Sequence, residues 1–295
     1  MIAMNRVCAV VITFHPQPDT LMNLATLRPQ VEGLVVVDNG SGAEAIASLR
    51  AASQALIFTL IENGQNLGIA TGLNIGVQWA KSHGYDFVGL FDQDSTVTDG
   101  FMEKMVSMYQ AHSRRDSIAL IGAGYKHRVT GECPAPRFLA RDGGPIEVMT
   151  SGTFMPTRIF DACGYFEDDL FIDLVDYEYC FRVRRAGYIA LCCHEALLLH
   201  AAGSPARVKL LGKTILTFSN HGAGRWYYIT RNSFLLLGIY GKQFPQWAIA
   251  TVFQLFIKAP MKILLVKGNR LKKICNMILG AMDGLRGRTG YRVKL

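Results

Sequence analysis

Two carboxylates one residue apart, Asp92 and Asp94, stand where the apolar run Phe87-Val88-Gly89-Leu90-Phe91 stops. Apolar residues bounded by turn formers read as a buried strand, so these acids fall at its carboxyl end, where open α/β sheets place their ligands. Mg²⁺ and Mn²⁺ prefer hard oxygen donors and are held by one or two carboxylates, with phosphate oxygens and water completing the shell. The spacing therefore suits a divalent cation held against a diphosphate, although an isolated D-x-D also reads as a solvated turn. A second set of acids lies further on: Glu167, Asp168, Asp169, Asp173, Asp176 and Glu178. Crowded, partly buried carboxyls repel one another's charge and hold their protons to higher pH, which suits a general base near neutrality. A solvated acidic loop accounts for Glu167 to Asp169, but poorly for Asp173 and Asp176 among Phe171, Ile172, Leu174 and Val175.

Positioning such groups requires a frame, and the first hundred residues supply one. Short apolar runs at Val7 to Thr13, Gly33 to Asp38, Ala55 to Glu62 and Phe87 to Phe91 are separated by helical patterns near Thr20 to Val31, Ala43 to Ala52 and Thr71 to Ser82. This βαβ alternation predicts a parallel sheet. The residues after the first run, Thr13-Phe14-His15-Pro16-Gln17-Pro18, contain no glycine, and no Walker lysine motif occurs. A bound nucleotide would therefore not be gripped by a glycine-rich phosphate loop, which returns weight to Asp92 and Asp94.

Half of the 295 residues are apolar, enough for a full core. Seven cysteines without a C-x-x-C argue against a disulfide framework or zinc site and fit a reducing cytoplasm. The segment Met1 to Val11 lacks a signal-peptide pattern. The longest uncharged stretch late in the chain, Gln243 to Ile257, is 15 residues, shorter than a bilayer-spanning helix, so no transmembrane helix is expected. Residues 1–204 carry 15 Lys and Arg against 22 Asp and Glu, whereas residues 205–295 carry 16 against one, Asp283. Such asymmetry suggests that the C-terminal third faces a polyanion. From Met261 to Leu285, Leu264, Leu271, Ile274, Ile278, Met282 and Leu285 recur at helical spacing with Lys262, Arg270, Lys272 and Lys273 between them. A basic amphipathic helix is expected, lying on an anionic membrane surface or packed on the core. No aromatic residues interleave with its charges, so no nucleic acid is expected.

Four ordered motifs carry a family resemblance. Thr13-Phe14, Val36-Val37-Asp38-Asn39-Gly40-Ser41, Asn66-Leu67-Gly68-Ile69-Ala70 running to Asn74-Ile75-Gly76, and Asp92-Gln93-Asp94 resemble glycosyltransferase family 2. Phe91-Asp92-Gln93-Asp94-Ser95 with Phe171-Ile172-Asp173-Leu174-Val175-Asp176-Tyr177-Glu178 resembles the bacterial rhamnosyltransferases that use dTDP-L-rhamnose. The resemblance implies an α/β chain with the GT-A fold: a catalytic domain over residues 1–235, divided near 125 into nucleotide-sugar and acceptor halves, and a basic, mainly helical region over 236–295. It implies Mg²⁺ or Mn²⁺ at Asp92 and Asp94, with His200 either a further ligand or a core residue. Donor contacts would come from Thr13, Phe14, Asp38, Asn66, Gly68, Asp92, Gln93 and Arg231. Asp38 reads from local sequence equally as a base acceptor or a helix cap, and the resemblance implies the base acceptor; Arg231 reads as a ligand of the leaving diphosphate or a structural ion pair. Asn74 reads as a helix-face hydrogen bonder. Acceptor contacts would come from Ser151, Gly152, Asp173 and Glu178. The family's catalytic aspartate precedes a Cys-x-Arg by four residues, which here is Asp176 before Cys180-Phe181-Arg182.

The implied enzyme is an inverting, metal-dependent glycosyltransferase with a lipid-linked saccharide acceptor, peripheral on the inner face of a bacterial plasma membrane and open to homo-oligomer formation. Two other readings compete. Asp92-Gln93-Asp94-Ser95-Thr96 also fits the D-x-D-x-T nucleophile motif of haloacid dehalogenase phosphatases, although three strands precede it and no downstream Gly-Asp pair occurs. A non-catalytic sugar-nucleotide-binding protein is the other.

Overall fold

The computed structural model describes residues 6–127, 133, 135–200, 205–210, 213–265 and 268–295. It divides into two compact units, Met1–Asp168 with Val175–Ala201, and Asp169–Leu174 with Ala202–Leu295.

The first unit runs β1 (Val7–Thr13), α1 (Asp19–Leu27), β2 (Gly33–Asp38), α2 (Ala43–Leu56), β3 (Thr59–Glu62), α3 (Ile69–Ser82), β4 (Phe87–Asp92), β5 (Ser95–Val97), α4 (Phe101–Ala111), β6 (Ile118–His127), β7 (Thr153–Pro156), α5 (Ile159–Cys163), α6 (Val175–Arg185) and β8 (Ile189–His200). Its strands form one mixed sheet in the order β3-β2-β1-β4-β7-β6-β8-β5. Every residue of β1 and β2 is buried, as expected of parallel strands covered on both faces. The chain steps outward from β1 through β2 to β3, then returns to the other side of β1 as β4. That reversal is the switch point where open sheets bind ligands. Its register pairs Thr13 with Asp38 and Ile12 with Asp92, so the ends of β1, β2 and β4 share one edge.

The third predicted strand is shorter than expected. Ala55 and Leu56 complete α2, which stops at Ile57 in a left-handed conformation (φ 54°).

The second unit contains β9 (Pro205–Leu210) and β10 (Lys213–Ser219), an antiparallel pair, then α7 (Ala223–Tyr240), α8 (Pro245–Phe253), α9 (Ala259–Leu265) and α10 (Arg270–Leu285). The boundary expected at 235 falls inside α7, while the two compact units meet along the chain after Asp168, Leu174 and Ala201. The single helix expected from Met261 to Leu285 is two, broken where Gly268 (φ 100°) and Asn269 (φ 45°) take left-handed conformations. A π-helical turn, Gln254–Lys258, joins α8 to α9, so Pro245–Leu265 is a 21-residue helix, long and apolar enough to cross a membrane. The 15-residue uncharged stretch underestimated it, because the helix continues through Lys258 and Lys262.

Helix α10 packs closely on α7. A Cβ at Gly280 would lie 2.4 Å from the Tyr227 carbonyl oxygen, and one at Gly284 would lie 2.6 Å from that of Arg231. Asp283, the sole acid after residue 204, is buried and accepts the Tyr227 hydroxyl at 2.7 Å.

Candidate active site

The edge at the ends of β1 and β4 holds the D-x-D. Asp92, Gln93 and Asp94 are all half-buried. The Gln93 side chain faces the loop after β1: the Phe14 N–H donates to Gln93 Oε1 at 2.8 Å, and Gln93 Nε2 donates to the Phe14 carbonyl at 3.1 Å. Asn23 Nδ2 donates to the Gln93 carbonyl at 3.0 Å. Gln93 thus joins the candidate base loop to the candidate metal loop, leaving Phe14 partly exposed beside the His15 ring. The small-residue segment closes from the other side. The Asp92 N–H donates to Ser151 Oγ at 3.0 Å, the Ser95 and Ser151 hydroxyls are 2.7 Å apart, and the Gly152 N–H donates to the Leu90 carbonyl at 2.7 Å. Gly152 has φ 80°, and a Cβ there would meet Ala123 and Leu198 near 3 Å, so this wall requires glycine. His200 pairs in the strand ladder with Ser95, the residue after the motif, while its side chain lies outside the described residues.

Two further loops reach the edge. Asn66 Oδ1 accepts the Gly68 N–H at 2.9 Å, and Gly68, at φ 88°, opens α3. Asn39 Nδ2 donates to the Gly68 carbonyl at 2.8 Å, tying the β2 loop to the β3 loop. Asp38 departs from the base-binding expectation. It is fully buried, and its carboxylate accepts four bonds: the Gly40 and Ser41 N–H groups on Oδ1, and the Thr13 and Ser41 hydroxyls on Oδ2. A carboxylate offers about four lone-pair sites. Asp38 therefore organises the turn, and Thr13 spends its hydroxyl there.

On the acceptor side, Asp176 stands in the first turn of α6, where its Oδ1 accepts the Tyr177 N–H at 2.9 Å. It borders a small cleft with Leu90, Val148, Thr150, Thr153 and Phe166. Its predicted companions are otherwise engaged. Glu178 is buried and pairs with Arg182 through two bonds of 3.0 and 2.6 Å, and Arg182 also holds the Cys163 and Tyr165 carbonyls, so Glu178 braces α6 rather than an acceptor. Asp173 belongs to the second unit, where Arg225 pairs with it at 3.0 Å; burial raises its pKa and Arg225 opposes that. Asn74 behaves as expected, exchanging hydrogen bonds with Phe166 backbone and donating to Asp168 Oδ1 at 2.8 Å. Arg231 does not present its guanidinium to a ligand. It is fully buried in the second unit and spends that group on backbone carbonyls and Asn232.

Two residues join the site that sequence reasoning missed. Tyr125 on β6 has its phenol pKa raised by burial first and then by the charge of Asp94. Glu147 lies near Asp176: burial, then the Asp176 charge, pushes its carboxyl up to about 7. Its Oε1 faces the Tyr177 hydroxyl at 3.5 Å, and its buried Oε2 makes no hydrogen bond among the described residues. A carboxyl whose pKa rises on folding favours the protonated folded state, so that stability is full below its unfolded value and is lost as pH rises through about 7. Glu147→Gln should remove this loss. Its melting temperature should match wild type near pH 5 and exceed it at pH 8 by several degrees, roughly 1–2 kcal/mol for a partly screened group. Parallel melting curves across that range would refute the placement.

The Glycosyl transferase family 2 model matches residues 8–168, more than half of the chain. Along 97% of both chains, the protein is 28% identical to the dTDP-rhamnosyl transferase RfbF of Shigella flexneri. It is 21% identical to the low-salt glycan biosynthesis hexosyltransferase Agl10 of Haloferax volcanii, over 96% of this chain and 92% of that one. Among solved structures, S. aureus TarS 1-349 in complex with UDP-GlcNAc superposes with a TM-score of 0.59 at 14% identity, covering 98% of this chain and 94% of that one. The mannosyltransferase PcManGT from Pyrobaculum calidifontis, in complex with GDP-Man and Mn²⁺, gives a TM-score of 0.59 at 14% identity, covering 96% and 88%. The mixed sheet flanked by helices is the expected GT-A architecture. With its D-x-D at the switch point, this fold and these relatives, the chain is a glycosyltransferase and belongs to glycosyl transferase family 2.

Proposed function

We propose that the chain is an inverting rhamnosyltransferase that moves L-rhamnose from dTDP-β-L-rhamnose to a saccharide hydroxyl on a lipid carrier. The observation that carries the donor is the end-to-end identity with the Shigella flexneri dTDP-rhamnosyl transferase. The donor's diphosphate would lie at the β1–β4 edge, with Phe14 against the base and the loop at Asn66 and Gly68 beneath the ribose and phosphates. Ser151 and Gly152, which carry no bulky side chain, admit the acceptor. Asp176 accepts the proton of the acceptor hydroxyl while that oxygen bonds to the anomeric carbon. The bond from that carbon to the dTDP oxygen breaks with its electron pair leaving on dTDP. One displacement from the opposite face inverts the centre.

Asp92 and Asp94 fit a hard divalent ion, since two half-buried carboxylates at one strand end leave room for phosphate oxygens and water in the shell. When bound, Mg²⁺ or Mn²⁺ would neutralise charge developing on the departing diphosphate. No group of three or more acidic, His or Cys side chains that could hold a metal occurs among the described residues. A third protein ligand therefore rests on His200. No observation favours the phosphatase reading.

Thermal shift with a panel of sugar nucleotides tests the donor. dTDP-rhamnose with Mn²⁺ should stabilise the protein most, and the shift should shrink without metal. A larger shift with UDP- or GDP-sugars would overturn the donor assignment.

The membrane reading loses one cation and gains part of a second helix. Lys273, expected at the surface, is buried and donates to Asn220 Oδ1 at 2.7 Å. Of the apolar residues expected there, Leu264, Leu271, Ile278 and Leu285 are exposed and Ile274 is partly buried; Pro245–Leu265 adds the exposed Ile249, Phe253 and Phe256. The opposite side of that helix packs through Ala259 and Ile263 on Trp226 of α7. A helix held laterally in this way suits the interface plane better than a bilayer crossing. Each nearby cation adds on the order of 1 kcal/mol toward anionic lipid. The protein should float with anionic vesicles at low salt, much less with neutral ones, and lose flotation when Lys258, Lys262, Arg270 and Lys272 become Glu. Equal flotation on both vesicle types, or none, would leave the face as a subunit contact.

A further inference from the structure

Arg231 and Asn232 stand out because the proposed chemistry leaves them without a task, yet both are fully buried on α7. Their polar atoms converge on one short loop. Asn232 Nδ2 lies 3.1 Å from the carbonyl oxygen of Leu170 and 2.8 Å from those of Ile172 and Asp173, as donor to all three. Arg231 Nη2 donates to the carbonyls of Asp169 at 3.1 Å and Leu170 at 2.8 Å, while its Nε donates to Asn232 Oδ1 at 2.8 Å and fixes the amide's orientation. The same guanidinium reaches the chain's last residues, donating through Nη1 to the Gly290 carbonyl at 2.5 Å. The Gly290 N–H donates to the Asp169 carbonyl at 2.7 Å, and the Thr289 hydroxyl to Asp169 Oδ2 at 2.8 Å.

The loop so held is in a conformation that side chains disfavour. Phe171, Asp173 and Leu174 have φ of 62°, 65° and 59°, the left-handed region that residues with a Cβ seldom occupy. Three such residues within four positions persist only when their surroundings dictate them. Here the surroundings are the amide and guanidinium, with Arg225 on Asp173 and the Tyr228 and Tyr291 rings on Phe171. Leu174 is bonded directly to Val175, the first residue of α6, and Asp176 is the second.

We infer that Arg231, Asn232 and the Thr289-Gly290 segment form a clamp that holds residues 169–174 in this left-handed path and so fixes the backbone entering α6 for transfer. These are positioning residues, and the inference rests on the reading of Asp176 as the base. The C-terminal segment then holds this loop as well as carrying basic charge.

Asn232→Asp keeps the side chain's size and replaces the donor amide with a carboxylate facing three carbonyl oxygens. Transfer from dTDP-rhamnose, dTDP affinity and hydrogen exchange of residues 169–174 would be measured together. The expected result is a kcat lower by roughly 10- to 100-fold, dTDP affinity within about threefold, and faster exchange confined to the loop. Adding Leu174→Gly, which takes the left-handed conformation without strain, should recover part of kcat in the Asn232→Asp background. An unchanged kcat, or equal losses of kcat and dTDP affinity, would overturn the clamp. If Asn232→Asp does not fold, Asn232→Ser, which keeps a single donor, decides by the same readouts. Should the wild-type protein transfer nothing from dTDP-rhamnose, the donor reading fails. Loop exchange then decides the clamp, and unchanged protection in the variant refutes it.

Discussion

Asp176→Asn should lower kcat by about 10² to 10⁴ while leaving affinity for dTDP-rhamnose within a few-fold. Asparagine retains an Oδ1 to accept the Tyr177 N–H, now at 2.9 Å, so the first turn of α6 should survive the change. What is lost is the ability to take a proton, because an amide oxygen is a very weak base. The donor lies with the β1–β4 edge in this scheme, and Asp176 acts on the acceptor alone. A variant that loses donor affinity along with turnover would move Asp176 to the donor side, and a wild-type kcat would remove it from the chemistry. Glu147 supplies a second check. If the carboxyl raised to about 7 and Asp176 sense each other, the pH dependence of kcat should change in Glu147→Gln as well.

The nucleotide half was the most legible part of the sequence. Val7–Thr13 and Gly33–Asp38 match the apolar runs residue for residue, because parallel strands buried on both faces must be continuously apolar. Helix α3 was legible from Thr71 onward. The C-terminal third was misread because periodicity from Met261 to Leu285 outweighed the turn signal of Gly268 and Asn269. Burial of Lys273 was beyond local reasoning, since its partner Asn220 is 53 residues away.

Within the site, residue types were easier to read than commitments. Asp38 was assigned to the base by the resemblance, over a cap that local sequence made equally good, and the four bonds it accepts engage it in the turn. Glu178 and Asp173 were grouped with Asp176 by proximity along the chain, yet Arg182 four residues on and Arg225 from another helix neutralise them. Arg231 was assigned to the diphosphate by motif, and only the folded chain shows its guanidinium filled with carbonyls. Glu147 gave no signal at all: it follows Gly143-Gly144-Pro145-Ile146, and its relation to Asp176 exists only in three dimensions.

Asp94→Ala should abolish transfer, a loss of about 10³-fold or more, and with it the metal-dependent part of dTDP binding measured by calorimetry. Several bonds that anchor the neighbouring loop come from other groups: Asn23 to the Gln93 carbonyl, Gln93 to Phe14, and the Ser95 hydroxyl beside Ser151. The fold should therefore persist, with melting within a few degrees of wild type. What disappears is one of two carboxylates at a strand end, and a hard cation that relies on one or two protein oxygens loses much of its hold. Excess EDTA should reproduce the defect in the wild-type protein and add nothing in the variant, since both remove the same ion. Full activity in Asp94→Ala, or in wild type with EDTA, would show that the diphosphate leaves without a metal, and the burden of its charge would then pass to protein donors at the β1–β4 edge.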